Sequence, residues 1–449
     1  MLNVRRKGRD NAEKFGVPAA SAQENNTRGG VADNVFLCSR LTDGIRQIIL
    51  AGMKLFPKCL CEASPAAFFS KIAEFYGSTH DVFLMNPFWT GGQRAAADKL
   101  VRCYVEQNYS DLSLREGYGR IFIASGGSGG RVRFVAHTPE TLEASARALI
   151  AQLGLSAETP LNCFSCLPPW HVSGLMPWVR ARVSGGRVFV AEEGGFRSAG
   201  DLPRFRERAG EFWMNSLVPT QLRRLLARSG GAAWLRQFDF ILLGGARVPD
   251  ELIEEAVAEN LKIGIGYGMT ETASLVALWR PEDGARVAGT PLPHAKFVLS
   301  PEDGRIEIAA ASLGQTLSDA GVVLPNFGGR CLTNDEGFRD ESGRLVVRGR
   351  ADRYINSGGE KVDPQIVENA LRDVGASEVL VVGEADAEWG ERVVALVKGE
   401  LPDLLLSRVR TVLPAWMVPK RVVSVAELPF DGKGKLDRSR LRDILAFAS

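Results

Sequence analysis

The chain has 449 residues, 45% of them hydrophobic, and a formal net charge of +2. This length supports a sizeable core and exceeds one ordinary domain, so two or more domains are expected. Charge so near balance argues against a nucleic-acid footprint, and no segment is long and apolar enough to span a bilayer.

The basic N-terminus "MLNVRRKGRDNAEKFG" is not followed by an apolar run, so it does not read as a secretory signal. The first thirty or so residues are polar and Gly/Asn-rich, and are expected to be loosely docked. Helical periodicity begins in "DGIRQIILAGMKLF" and recurs in "SPAAFFSKIAEFYG". "DVFLMNP" reads as a short strand ending at Pro87 and "QRAAADKLVRCYVEQ" as a helix. "RIFIAS" reads as a buried strand and "GGSGGRVR" as its loop. A helix follows in "TPETLEASARALIAQLG", with Thr138 as N-cap and Pro139 in its first position.

The alternation continues through "NCFSCLPP", "GGRVFVAEEG", "FWMNSLVPT" with the helix "QLRRLLARSG", "FDFILLGGARVPDELIEEAVAEN" and "LKIGIGYGMTE". Strands alternating with helices predict α/β layers with largely parallel sheets, and ligands at the carboxyl ends of the strands. The glycine turns at Gly126, Gly244 and Gly266 all follow strands and are expected to converge on one site. Past Pro291, "KFVLSPEDGRIEIAA" and "GFRDESGRLVVRGR" read as hairpins with Asp-Gly and Ser-Gly turns. After Arg350 comes a compact α+β segment, with the boundary placed near Asp352. The seven cysteines read as reduced thiols of a cytoplasmic protein. Cys163 and Cys166 form a CxxC without a second pair, and read as small buried side chains.

Four stretches carry chemistry. "SGGSGGRVR" places backbone N–H groups and two cations where an anion would lie, without the Gly-Lys-Ser/Thr of a Walker loop. "GYGMTETAS" offers an aromatic between glycines for a purine face, the Thr270 hydroxyl for a phosphate and the Glu271 carboxylate for Mg²⁺; a strand end with a capped helix start is the plainer reading. "LTNDEGFRDESGRLVVRGRADRYINSGGEKVDPQIVE" holds Asp335 and a Ser-Gly-Gly loop, and "PFDGKGKLDRSRLRD" a lysine between glycines.

In this order the four resemble the adenylate-forming acyl-CoA synthetase superfamily, which includes acyl- and aryl-CoA ligases, amino-acid adenylation domains and firefly luciferase. The resemblance covers about Ile121 to Arg440. It implies an α/β fold: an N-terminal AMP-binding domain over 1–351 of layered α/β sheets plus a small β-barrel-like part, and a small mobile α+β C-terminal domain over 352–449. Residues 1–80 are poorly matched. It also implies a two-step reaction with ATP, Mg²⁺ and coenzyme A: a carboxylate attacks the α-phosphate, and a thiol then displaces AMP.

Carried over by position, Ser125, Gly127, Ser128, Gly130 and Arg133 belong to the phosphate loop. Gly244, Gly245 and Ala246 wall the adenine, with Tyr267 on its face and Gly268 beside it. Thr270 contacts phosphate, Glu271 faces the metal, and Asp335 with Arg350 holds the ribose. Asp352 is the hinge, Lys435 stabilises adenylation, and Ser357, Gly358, Gly359 and Glu360 enter the site for thioester formation. The sequence departs from the family pattern at Gly129, Val132 and Arg133, where a Pro-Lys ending is usual; Arg133 keeps the charge as a planar fork. Asn334 also replaces the glycine of the usual Thr-Gly-Asp.

Within the superfamily, "NCFSCLPPWHVSGLMPWVRA", "NSLVPTQLRRLL" and "GGSGGRVRFVAHT" most resemble the o-succinylbenzoate–CoA ligase family of menaquinone and phylloquinone synthesis. That resemblance puts His171 beside the acyl pocket; an ordinary capped, partly buried histidine is the plainer reading. The implied partners are an aryl dicarboxylic acid and CoA, with a homodimer left open. A dianionic acid calls for a second cation, for which Arg180, Arg182 and Arg223 are the candidates, and Trp170, Trp178 and Trp213 are candidate walls or core. The alternatives are another aryl- or acyl-CoA ligase, a non-catalytic nucleotide-binding relative, or an adenylation domain serving a separate carrier.

Overall fold

The computed structural model describes residues 57–109, 119–126, 132–156, 158–191, 202–207, 210–246, 248–284, 289–326, 329–341, 344–350, 355–357, 360–386, 390–430 and 436–447. The helix expected in "DGIRQIILAGMKLF" lies outside them. These residues divide into two compact units. One takes the chain up to Lys296 together with Ala309–Cys331; the other takes Phe297–Ile308 and Leu332–Ser449.

The first unit contains two sheets. One orders its strands β1 (Lys58–Leu60), β2 (Val82–Leu84), β3 (Ile121–Gly126) and β4 (Val132–His137), and a later short strand follows on β4. The β1–β2 and β2–β3 pairs are parallel, whereas β3 and β4 are antiparallel. The other sheet uses β5 (Leu161–Ser165), β6 (Val188–Val190), β7 (Phe212–Leu217), β8 (Phe240–Leu243), β9 (Ile263–Tyr267), β10 (Ala277–Trp279) and β11 (Thr290–Pro291), in the order β11-β10-β9-β8-β7-β5-β6. Its five strands from β9 to β6 are parallel, and β10 and β11 close it antiparallel.

Both faces of each sheet are covered, which is why the central strands read as unbroken apolar runs. Ile121 and Ile123 face Phe68, Ile72, Leu142 and Ala146, while Phe122 and Ala124 face Phe83, Tyr104 and Phe134. Across the second sheet, Phe164, Trp213, Ile241 and Leu243 pack toward Leu222, Trp234 and Leu252. Cys163, Met214 and Leu242 pack toward Ala148, Leu149 and Ala181. The helix Pro139–Gln152 therefore serves both sheets, Leu142 and Ala146 toward one and Ala148 and Leu149 toward the other. Its start is the expected one: Thr138 Oγ1 accepts from Thr141 N–H, and Pro139 fills the first turn, where its missing donor costs nothing.

One correction concerns the phosphate-loop region. Val132 and Arg133 are not loop residues. They open β4, which pairs with β3 in the register Ser125↔Arg133 and Gly126↔Val132. β3 and β4 thus form an antiparallel pair flanking the loop sequence, and a strand precedes the helix.

Next come β12 (Ala295–Leu299) and β13 (Arg305–Ala310), then β14 (Gln315–Thr316), which joins β4 antiparallel in the first sheet. β15 (Cys331–Arg339) and β16 (Leu345–Arg350) form an antiparallel pair, and the third sheet runs β12-β13-β15-β16. The last sheet contains β17 (Ile355–Ser357), β18 (Glu360–Val362), β19 (Val379–Asp386), β20 (Gly390–Lys398) and β21 (Arg421–Val425). Its core joins Val379, Val381, Val393 and Ala395 to Val367 and Leu371 of the helix Pro364–Asp373. No helix among the described residues is long and apolar enough to cross a membrane.

Candidate active site

The strand ends of the first unit bring Ser125 of β3 near the turn after β9, and the turns after β8 and β9 beside each other. Ser125 and Arg133 stand directly opposite each other on β3 and β4, so their side chains share one face of the hairpin. Arg133 is exposed and Ser125 half-buried. Gly127, Ser128 and Gly130 lie outside the described residues. Gly244 follows β8, and a β-carbon there would lie 3.7 Å from the Gly266 carbonyl, so the β8 and β9 turns adjoin. Gly245 has φ +78°, a left-handed conformation suited to glycine, with Ala246 next in line.

Tyr267 ends β9 and Gly268 follows it, packed so closely on the Ser274 carbonyl that no side chain fits there. Thr270–Thr272 form a single 3₁₀ turn. Its backbone then passes through Ala273 at φ +51° and Ser274 at φ +83°, conformations that L side chains adopt at a cost. Ser125 Oγ lies 3.4 Å from Glu271 Oε1, joining the phosphate hairpin to the turn. Two of the four expected motifs thus meet through these side chains.

The Glu271 carboxylate is half-buried, and among the described residues no cation pairs with it. Burial and the nearby Glu271 charge push the Cys331 thiol up to about 11, so that neighbour stays neutral. No group of three potential ligands exists among the described residues. One carboxylate without a cation partner among the described residues fits the way Mg²⁺ is usually held, by one or two protein oxygens together with substrate phosphates.

His171 caps the helix Val172–Ser184 through its backbone, without a side-chain capping bond, and is half-buried beside Trp170. Trp170 is buried, its indole N–H has no hydrogen-bond partner among the described residues, and the exposed Phe88 packs on its ring. Trp178 packs against Phe69 and Tyr76, and Trp213 lies in the opposite core with its N–H on Glu211; both are core side chains.

The three candidate arginines separate cleanly. Arg223 is exposed. Arg182 lies over the rings of Tyr76 and Trp178. Arg180 is 1% exposed, its Nη1 lies 3.4 Å from Ser216 Oγ, and among the described residues its Nε and Nη2 have no hydrogen-bond partner. Burial lowers its pKa to about 10, leaving it cationic at neutral pH. The sequence signal was available: a lone charge in "GLMPWVRA", where Gly174 to Ala181 are otherwise apolar and all buried.

Cys163 and Cys166 are thiols pushed up to about 12 by burial, and no disulfide joins any of the six described cysteines. In the second unit, Asp335 on β15 is the register partner of Arg350 on β16, so the expected ribose pair is adjacent. Thr333 Oγ1 accepts from Asp335 N–H and donates to the Ile306 carbonyl. Ser357 ends β17 and Glu360 opens β18 opposite it. Asp352, Gly358, Gly359 and Lys435 lie outside the described residues.

His137 was not among the expected site residues. It is fully buried, and its Nε2 lies 2.8 Å from the Thr270 carbonyl.

This geometry can be set against known proteins. Residues 121–311 match the AMP-binding enzyme model, and 367–435 match the AMP-binding enzyme C-terminal domain. A probable 2-succinylbenzoate–CoA ligase of Mycobacterium tuberculosis is 32% identical over 72% of this chain and 83% of its own length. The chain belongs to the AMP-binding enzyme family. As a member it is an enzyme of the AMP-forming acyl-CoA synthetase type, as the four motifs led one to expect. The 2-succinylbenzoate–CoA ligase of Listeria monocytogenes is 29% identical over 75% of this chain and 73% of its own length. The fold resembles the o-succinylbenzoate CoA synthetase of Bacillus subtilis, solved in complex with the acyl-adenylate intermediate, with a TM-score of 0.69, 21% identity, and coverage of 88% and 90% of the two chains.

Proposed function

We propose that this chain is an ATP-dependent acid–thiol ligase that activates o-succinylbenzoate as its acyl-adenylate and transfers it to coenzyme A. The observation that carries the choice of acid is Arg180. A guanidinium buried with two unpartnered nitrogens is costly unless something anionic completes it. A dicarboxylate offers a second carboxylate beside the one that reacts, and Arg180 is the cation to receive it. The relatives named for 2-succinylbenzoate support the same acid.

The chemistry follows. A carboxylate oxygen attacks the α-phosphorus of ATP, and the bond to pyrophosphate breaks. The sulfur of CoA then attacks the acyl carbon, the acyl–phosphate bond breaks, and AMP departs as the thiol loses its proton. Two anions must meet, so cations and backbone dipoles fixed in advance lower the barrier. Ser125 and Arg133, with the loop residues Gly127, Ser128 and Gly130, are assigned to the terminal phosphates. Gly244, Gly245, Ala246 and Gly268 frame the adenine against Tyr267. Thr270 is assigned to phosphate, and Asp335 with Arg350 to the ribose.

Glu271 is the residue to hold Mg²⁺, which when bound would offset phosphate charge. His171 is placed beside the acyl group, and Lys435 at the α-phosphate. Asp352 is assigned as pivot of a 352–449 domain and 357–360 as the segment serving the thioester step. Cysteines without disulfides among the described residues suit a cytoplasmic setting.

Pyrophosphate release over a panel of aryl and aliphatic acids tests the reading. The strongest response is expected with o-succinylbenzoate; a stronger one with benzoate or a fatty acid rejects the substrate. Lys435→Ala should cut adenylate formation by orders of magnitude with ATP binding little changed; unchanged turnover removes Lys435 from the mechanism.

A further inference from the structure

The turn Met269–Ser274 has no sheet ladder of its own, and it includes two non-glycine residues at positive φ. Such a backbone persists where surrounding groups over-determine it. Three donors do so here. Gly314 N–H reaches the Glu271 carbonyl at 2.8 Å, Ser145 Oγ reaches the Ala273 carbonyl at 2.8 Å, and His137 Nε2 reaches the Thr270 carbonyl at 2.8 Å.

His137 differs from the other two in where it comes from. It is the last residue of β4, the strand that leaves the phosphate loop. In the β3–β4 register, Ile121 opposes His137 and Ser125 opposes Arg133, so Ser125, Arg133, Val135 and His137 share one face. That face meets two consecutive residues of the turn. Ser125, near the loop, approaches the Glu271 carboxylate, and His137, at the base, holds the Thr270 carbonyl.

A carbonyl only accepts, so Nε2 carries the ring proton. Nδ1 then has only its lone pair to offer, and it shares the single proton of the Thr141 hydroxyl, 3.1 Å away, with the Thr138 carbonyl at 3.0 Å. The Thr270 carbonyl thus sets the tautomer, and the Thr141 hydroxyl is the neighbour of Nδ1. Burial pushes the histidine down to about 4, so the ring is neutral in the working range.

We propose that His137 is a positioning residue for adenylation: through the Thr270 carbonyl it fixes the turn bearing Thr270 and Glu271 to the hairpin bearing the phosphate loop. This rests on the ligase reading given above. Misplacement of a catalytic group by about 1 Å costs on the order of 100-fold in rate, so the clamp matters to chemistry more than to substrate affinity.

The test compares His137→Leu, His137→Gln and His137→Asn in the full chain. Each is assayed for acid-dependent ATP–pyrophosphate exchange, for thioester formation from supplied acyl-adenylate, and for melting temperature. A glutamine amide places an N–H near the Nε2 position, and the shorter asparagine does not. The expected result for Leu is an exchange kcat lower by roughly 10- to 100-fold, with KM for the acid and CoA capture of the supplied adenylate changed by less than about 3-fold. Gln should recover most of that loss and Asn little of it.

A folded Leu variant with parental exchange overturns the proposal, as does a Leu variant equally impaired in both half-reactions. If Leu does not fold, equal exchange by Gln and Asn overturns it. A parent chain inactive with every acid rejects the ligase reading and this inference with it. An active parent matched by its variants rejects the inference alone.

Discussion

Arg180 Nη1 lies 3.4 Å from Ser216 Oγ, and the other two nitrogens of the guanidinium have no hydrogen-bond partner among the described residues. The free protein therefore carries a cation whose lost hydration is not replaced. Stability and substrate binding should consequently respond in opposite directions to its removal.

Arg180→Leu is expected to melt at or above the parent temperature, because replacing an uncompensated buried charge by a packed apolar side chain is often neutral or stabilising. The same variant should lose about 100-fold or more in kcat/KM for the dicarboxylate, since truncating a buried charge partner costs roughly 2–5 kcal/mol. Activity on a monocarboxylate analogue should change far less. Calorimetry with steady-state kinetics on both acids checks it; equal losses on the two acids would place Arg180 outside acid recognition.

His137 gives a pH prediction. Its ordinary pKa is 6.5 and burial lowers it to about 4 in the folded chain. Between these values the unfolded chain binds the extra proton, so stability falls as pH falls. The contribution is fully present above about pH 6.5 and is lost toward pH 4, on the order of 3 kcal/mol in all. Denaturant unfolding from pH 7 to pH 4 should show this slope, and His137→Gln should flatten it. An unchanged slope in the variant would assign the acid sensitivity to other groups.

Gly268 tolerates no side chain. A β-carbon there would fall inside the Ser274 carbonyl group and against the Leu275 backbone, none of which is a flexible side-chain end. Gly268→Ala should displace the 269–274 turn, abolish exchange, and cost about 2 kcal/mol or more of stability. By contrast Gly244→Ala, with its nearest neighbour at 3.7 Å, should leave the melting temperature within a few degrees of the parent.

Glu271→Gln keeps the shape of the side chain and removes its charge. Turnover should fall roughly 100-fold or more, with a raised Mg²⁺ requirement and little change in melting temperature. Parental Mg²⁺ dependence would show that Glu271 does not hold the ion.

Much of this site can be read from residue order. The Thr138–Pro139 start carries its own local chemistry, as do the glycines of "GYGMTE" and the apolar run before the loop, so their placement follows without tertiary information. β4 does not. In "VRFVAH" the face with Arg133 is solvent-exposed at one end and buried at the other, so neither clean alternation nor an unbroken apolar run marks the strand, and glycines just before it favour reading a loop. His137 is hidden for a related reason. A lone histidine before a helix cap reads as part of the cap, and its acceptor lies 133 residues away in sequence. Trp213 shows the reverse: an aromatic at a strand carries no mark distinguishing pocket from core until its neighbours are known.

The opposition of Ser125 and Arg133 sets a rule of spacing for anything that alters this hairpin. Successive side chains on a strand point to opposite sides, so adding or deleting one residue within Val132–His137 would exchange the faces. The guanidinium and the imidazole could not both keep their places, and one of them would be driven toward the layer of Phe83, Phe122 and Phe134. Homologues that vary the tip should therefore keep the interval from cation to histidine even-numbered, and an odd interval would mark a lineage that has abandoned the clamp.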